Sequence, residues 1–203
     1  KQEIIRRYFR YRCEYAMGFS DKETVQRVEL FLNDFDLKPE DRRVVGPARQ
    51  AAQDALEHEK GNEGIFCGAA IELADGSIIT GSNSPLMHAA SSVVIHAIKH
   101  LAGIPDKIKL LPPNITGSIR KLKTEILNEK NVSLDLEEAL IALSISATTN
   151  PAAELALEKL KELQNCEVHM THIPTPGDEA GLRRMGVNLT TDPNFSTNDL
   201  FVT

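Results

Sequence analysis

Residues 64–103 read GIFCGAAIELADGSIITGSNSPLMHAASSVVIHAIKHLAG, and this stretch decides the fold. Two apolar runs flank Ala74-Asp75-Gly76-Ser77, and Asp-Gly between such runs is a strong signal for a two-residue hairpin. The first run, residues 65–73, is apolar on both alternating faces, as in a central strand covered on both sides. Residues 78–80 return beside it. A Ser-Pro pair follows. Residues 85–101 then carry apolar side chains at helical spacing, from Leu86 and Ala90 to Val94, Ala97 and Leu101, with His88 in the first turn.

Strand, hairpin, strand and a helix-borne histidine resemble the opening of a cytidine-deaminase-like domain. Zinc deaminases need a His or Cys with a Glu two residues later, then Pro-Cys-x-x-Cys at the next helix start. Here His88-Ala89-Ala90 puts Ala90 where the Glu belongs. The later stretch Leu111-Pro112-Pro113-Asn114-Ile115 offers no thiol. The likeness is one of topology. Zinc deamination is not expected, and neither a metal nor another cofactor is implied.

Further along, residues 108–111 read as a short strand and residues 115–128 as an amphipathic helix. Asp135-Leu136-Glu137-Glu138 opens another helix, and Asn150-Pro151 a third, with Asn150 as its N-cap. Residues 166–172 form a strand, 176–185 a short helix stopped by Gly186, and 187–190 a last strand. The order ββαβαααβαβ predicts an open mixed sheet in a three-layer α/β/α domain over residues 61–203. Residues 1–60 read as a helical subdomain. Ser20 caps a helix bearing Val25, Val28, Leu32 and Phe35, with Glu23 completing a capping box. Pro39-Glu40-Asp41 starts another helix, which Gly46-Pro47 interrupts. The polar joint at residues 60–64 separates the two parts.

Two strand-to-helix turns are the candidate site, because open α/β sheets place ligands at the carboxyl ends of their strands. The first offers Ser82, Asn83 and Ser84, with His88 at a helix start whose dipole favours the neutral imidazole. The second is His169-Met-Thr-His172-Ile-Pro-Thr175-Pro-Gly-Asp178-Glu179. On a straight strand His172 points away from His169 and Thr171. His88 and His172 are the candidates for proton transfer. Ser82, Asn83, Ser84, Thr175 and Asp178 are the candidates for ligand binding. Cys67, in the central strand, reads as a small buried thiol.

Of the net charge of −6, residues 1–12 contribute +4, so the remainder carries −10. An acidic body argues against a nucleic-acid partner. The three cysteines share no CxxC spacing, and there is neither a secretory signal nor an apolar run of membrane-spanning length. A reduced cytoplasm and no membrane partner are expected. The chain starts at Lys1 in mid-helix, as a fragment of a longer protein would.

Three long strings carry a further resemblance: RCEYAMGFSDKETVQRVELFLNDFDLKPEDRRVVGPARQAAQDA, CGAAIELADGSIITGSNSPLMHAASS and CEVHMTHIPTPGDEAGLRRMGVNLTTDPNF. They resemble the C-terminal part of a bacterial family, domain-of-unknown-function family eighteen-forty-six, also known as an uncharacterised protein family. The likeness spans essentially the whole chain. It implies a helical subdomain, then a deaminase-like α/β/α subdomain. It also implies a larger N-terminal part with a glycine-rich stretch reminiscent of a phosphate loop, and it carries no catalytic residues over. Two functions follow as expectations. One is an enzyme portion acting on a small polar ligand, phosphorylated or nucleotide-like. The other is a catalytically silent module for oligomer assembly or ligand sensing, whose partners are the N-terminal part or further copies.

Overall fold

The hairpin forms where its residues predict it, with one extra residue in the loop. A computed structural model describes residues 1–196, and in it β1 (Gly68–Glu72) pairs antiparallel with β2 (Ile78–Ser82). Leu73 N–H donates to Ser77 O and Gly76 N–H to Leu73 O, so Ala74-Asp75-Gly76 is a three-residue loop. Gly76 has φ of 82°, the left-handed position that such a loop needs. Asp75 Oδ1 accepts from both Ser77 N and Ser77 Oγ, which favours this loop over the two-residue form.

β3 (Glu167–Met170) lies antiparallel on the other side of β1, and β4 (Asn188–Thr191) lies parallel to β3. The result is a mixed four-stranded sheet of order β2-β1-β3-β4. Residues 108–111, expected to be a strand, are not one. They lie between Pro105 and Pro112-Pro113, where missing N–H groups cannot extend a ladder. Leu110 and Leu111 are buried in the main core, and Asn150 Nδ2 holds Lys109 O at 3.3 Å. Their burial is against helices.

Each face of β1 meets a helix at close range. α4 (Ala89–Leu101) covers the face bearing Ala69 and Ile71, and a Cβ on Gly81 would lie 2.4 Å from Val93 N. α3 (Val45–Glu57) covers the face bearing Ala70, and a Cβ on Gly68 would lie 2.1 Å from Ala48 O. α3 thus comes from the first sixty residues but forms a layer of the sheet domain. Gly46 and Pro47 sit in its first turn, where proline's missing N–H costs nothing.

α1 (Gln2–Ala16) and α2 (Lys22–Asp34) form a helical pair beside this layer, with Ile5, Phe9, Leu32, Leu37 and Val45 in a shared core. The cap of α2 is Asp21, one residue after Ser20: its Oδ1 accepts from Thr24 N at 2.7 Å. Phe35, placed with the core residues by its spacing, is 54% exposed beyond the end of α2. A short 3-10 turn, Pro39–Asp41, precedes Arg42, whose buried guanidinium donates to Val168 O at 3.0 Å and to Thr190 Oγ1 at 2.8 Å. The same group pairs with Glu167.

On the other side of the sheet lie α5 (Pro113–Lys121), α6 (Leu136–Ala147), α7 (Pro151–Glu158) and α8 (Pro176–Arg184). α5 runs into a π-helical turn, Leu122–Ile126, rather than continuing as one helix to residue 128. Asn150 caps α7, accepting from Ala152 N at 3.0 Å. Among the described residues, no helix is long and apolar enough to cross a membrane.

The face under α1 and α3 holds a second polar network. His169 is fully buried, its ring 4.7 Å from that of Phe9 and its Nδ1 2.9 Å from Thr190 Oγ1. Burial pushes its pKa down despite Asp192, so the ring is neutral. Burial also disfavours the Asp192 carboxylate. His169 and the two-pronged contact of Arg49, at 3.0 and 2.7 Å, oppose this and hold the Asp192 pKa at about 2. A lowered acid pKa contributes stability that is complete above the unfolded value, 3.8, and is lost as pH falls through about 2. Arg49 is 40% exposed and screened by solvent. Asp192→Asn is therefore expected to cost only about 1–2 kcal/mol at pH 7 and to flatten the loss of stability between about pH 4 and 2. Denaturant midpoints across that range check this; an acid slope equal to the parent's would refute it.

Candidate functional site

The carboxyl ends of β2 and β3 and the start of α4 enclose a cavity of about 90 Å³, large enough for one small polar group. Asn83, His88, His172, Thr175 and Asp178 line it, so the two strand-to-helix turns meet. Ser82 and Ser84 do not line it. Ser82 pairs with Gly68 in the hairpin, and Ser84 Oγ accepts from Leu86 N and Met87 N. That local turn replaces the expected helix start at Pro85. Leu86 O accepts from Leu134 N and His88 N donates to Leu134 O, which holds residues 86–88 extended. α4 begins at Ala89, with His88 as its N-cap.

His88 is held by both ring nitrogens. Nδ1 lies 2.8 Å from Asp178 Oδ2, and Nε2 lies 3.2 Å from Asn131 Nδ2. Asn131 Oδ1 accepts from Ser133 N and Ser133 Oγ, which orients the amide with its NH₂ toward His88. Nε2 is therefore the acceptor, and Nδ1 carries the proton donated to Asp178. Burial works against the imidazolium, but the hydrogen bond and charge of Asp178 outweigh it and raise the His88 pKa above 6.5.

Asp178 is 3% exposed in its side chain and fully engaged. Oδ1 accepts from Leu136 N at 2.9 Å, and Oδ2 accepts from Thr175 Oγ1 at 2.8 Å. This requires α8 to start hard against the start of α6. Gly177 makes that possible, since a Cβ there would lie 2.1 Å from Asp135 Oδ2. Asp178 and Thr175, read in the sequence as ligand-binding groups, are spent on orienting His88. Asn83 is spent in a similar way: it accepts from Cys67 N and donates to Ile65 O, and so fixes the entry into β1.

His172 has the complementary character. Thr171 Oγ1 accepts from Gly68 N at 2.9 Å, so its proton is free to go to His172 Nδ1, 2.8 Å away. Nδ1 is then an acceptor and Nε2 carries the hydrogen. Burial lowers the His172 pKa, with Asp192 opposing, and keeps the ring neutral. The cavity thus pairs an acceptor imidazole at His88 with a neutral donor imidazole at His172. Cys67 also lines it, but burial, with the charge of Asp178, pushes its thiol up to about 12, and it is no nucleophile. Among the described residues, no three His, Cys, Asp or Glu side chains converge to hold a metal ion.

Asn131 and Ser133 were not legible as site residues. They lie in the loop between the π turn and α6, where nothing in Asn128-Glu-Lys-Asn131-Val-Ser133 stands out from an ordinary polar loop. The tertiary clue is Lys123, 7% exposed in its side chain, whose Nζ donates to Ser133 O at 3.1 Å and Glu138 Oε2 at 2.8 Å. The π turn aims this lysine inward, under the loop that carries Asn131. Other concavities are larger, including one of about 520 Å³ beside Arg49 and Asp192. It is an open groove whose arginines are paired: Arg49 with Asp192 and Glu40, and Arg12 with Glu29.

Comparison with known proteins agrees with the resemblance read from the three long strings. The model of "Domain of unknown function DUF1846, C-terminal" matches residues 40–201. A UPF0371 protein of Clostridium botulinum strain Alaska E43 is 48% identical over 201 residues, 99% of this chain and 40% of the relative. A UPF0371 protein of Clostridium tetani strain Massachusetts is 42% identical with the same coverage. The chain spans about two-fifths of the length of the curated relatives that it matches. The match from residue 40 onward, with the close relatives across the whole chain, means that the chain belongs to the DUF1846 (UPF0371) family and includes its C-terminal domain.

Proposed function

We propose that the cavity is a proton-transfer site of a cytoplasmic enzyme and that His88 is its base, oriented by Asp178. The observation that carries this is the tautomer: Nδ1–H on a buried carboxylate makes Nε2 the basic nitrogen, which accepts from the Asn131 amide and would take a ligand's proton once that amide is displaced, and Asp178 raises the pKa of the ring. His172 would donate a hydrogen bond to the oxygen that gains charge as the proton leaves. Among the described residues, no lysine or arginine lines the cavity, which favours a neutral polar group, such as an amide or a nucleobase edge, over a phosphate. The likeness to cytidine deaminases supports a nucleotide-like ligand, but not their zinc chemistry. Ala90, at the position where a zinc deaminase carries its Glu, is a fully buried alanine.

Nitrogen-detected NMR of the imidazoles tests this reading. His88 should show the Nδ1–H tautomer and titrate above 6.5, and His172 below it. Asp178→Asn should lower the His88 pKa, since the carboxylate's hydrogen bond and charge are what raise it. Cytidine at millimolar concentration should shift both rings, and inorganic phosphate neither. An Nε2–H tautomer at His88, or a pKa that ignores Asp178→Asn, would sink the proposal. The silent assembly module gains support from one observation only, a set of exposed aromatic side chains on and just beyond α1 and α2.

A further inference from the structure

Among the described residues, five aromatic side chains are exposed, and four of them lie on one short segment: Tyr15 at 48%, Phe19 at 77%, Phe31 at 56% and Phe35 at 54%. Leu30, beside them, is 61% exposed. Chance scatter of surface apolar residues does not concentrate aromatics in this way. Between the outward faces of α1 and α2 runs an apolar groove of about 420 Å³, lined by Ile4, Tyr11, Val28, Phe31 and Phe35, with Arg7 and Arg27 at its rim. An apolar centre with a charged rim is the anatomy of a packed interface. The inward faces of the same helices are already used, through Ile5, Phe9 and Leu32.

Two boundaries identify the occupant. The relatives match this chain over 201 residues, so α1 and α2 are present in them. The C-terminal family model starts only at residue 40, so the helical pair lies outside the C-terminal domain proper. About 300 residues of each relative lie beyond the match, since 201 residues make up 40% of its length. A helical pair that precedes the C-terminal domain, packs on it with one face and leaves an aromatic face open is a connecting element. We infer that the groove between α1 and α2 is the seat of the N-terminal part of the full-length family protein. That part would insert aliphatic or aromatic side chains between Tyr11 and Phe31. The inference is independent of the chemistry proposed for the His88 cavity.

The test is the pair Phe31→Glu and Phe35→Glu, made both in the 203-residue chain and in the full-length family protein. In the chain alone both side chains already face water, so Tm should move by no more than about 2 °C. In the full-length protein it should fall by at least about 4 °C. In the unmodified proteins, amide exchange of residues 22–35 should be at least tenfold slower in the full-length form than in the chain. Exchange at equal rates in the two forms would overturn the inference, whether or not the double variant folds. So would a chain that sediments as a dimer and becomes a monomer on substitution, since that outcome assigns the face to a second copy.

Discussion

A chain starting at Gly61 is expected to lose cooperative unfolding. The polar joint at residues 60–64 marks a break in sequence pattern, but the packing crosses it. Removing residues 1–60 takes away α3, and with it the cover over Ala70 and Gly68 at the centre of the sheet. It also removes Phe9 from the buried ring of His169, and Arg42 from the ends of β3 and β4. One face of a four-stranded sheet would meet water, with His169 on it. An α/β sheet of this kind is stable only with both faces covered. The truncated chain should retain helical far-ultraviolet circular dichroism, bind a hydrophobic dye and melt without a sharp transition. A chain starting near Leu37 keeps Arg42 and α3 and should melt cooperatively, at a lower temperature than the whole. A sharp transition from the Gly61 chain would show that α3 is dispensable.

Arg42→Ala should cost about 3–5 kcal/mol, while Arg43→Ala, next to it, should cost less than about 1 kcal/mol. The two residues are chemically identical and differ only in where the chain puts them. The Arg42 side chain is 1% exposed and ties the segment before α3 to two strands at once, through Val168 O, Thr190 Oγ1 and Glu167. Its removal leaves Glu167 half-buried with less countercharge and takes one donor each from Val168 O and Thr190 Oγ1. Lysine cannot replace it, because one ammonium cannot reach three separate acceptors as a planar fork does. The Arg43 side chain is 60% exposed and pairs with Glu72 at the surface. Chemical denaturation of the two alanine variants side by side checks the contrast. Equal costs would mean that the buried clamp contributes no more than a surface ion pair.

Much of this molecule was legible before any coordinates. The Asp75-Gly76 hairpin, the helix start at Asp135, the Asn150 cap and the strand before His172 all rest on local rules. Those rules act within a few residues, so a sequence displays them directly. The local errors share a cause. Residues 108–111 have strand-like side chains but lie between prolines, and the packing of Leu110 and Leu111 against helices overrode their propensity. Pro85 looked like a helix start, yet the backbone of Leu86 and His88 found partners at Leu134, 46 residues away from His88.

The candidate site divides in the same way. Sequence alone placed His88 at a helix start that follows one strand and His172 at the end of another, and put Ala90 and a thiol-free Pro112-Pro113 where a zinc deaminase has its shuttle and ligands. Only the tertiary structure decided what these residues do to one another. Gly177 lets α8 close on α6, and this turns Asp178 from a ligand-binding candidate into the carboxylate that orients His88. The π turn drives Lys123 beneath the loop of Asn131, which sets the His88 tautomer. Likewise α3, read as part of a separate helical unit, proved to be a layer of the sheet. In each case the deciding contact joins residues dozens of positions apart, and the energy of such contacts comes from burial and directed hydrogen bonds that exist only once the chain has folded.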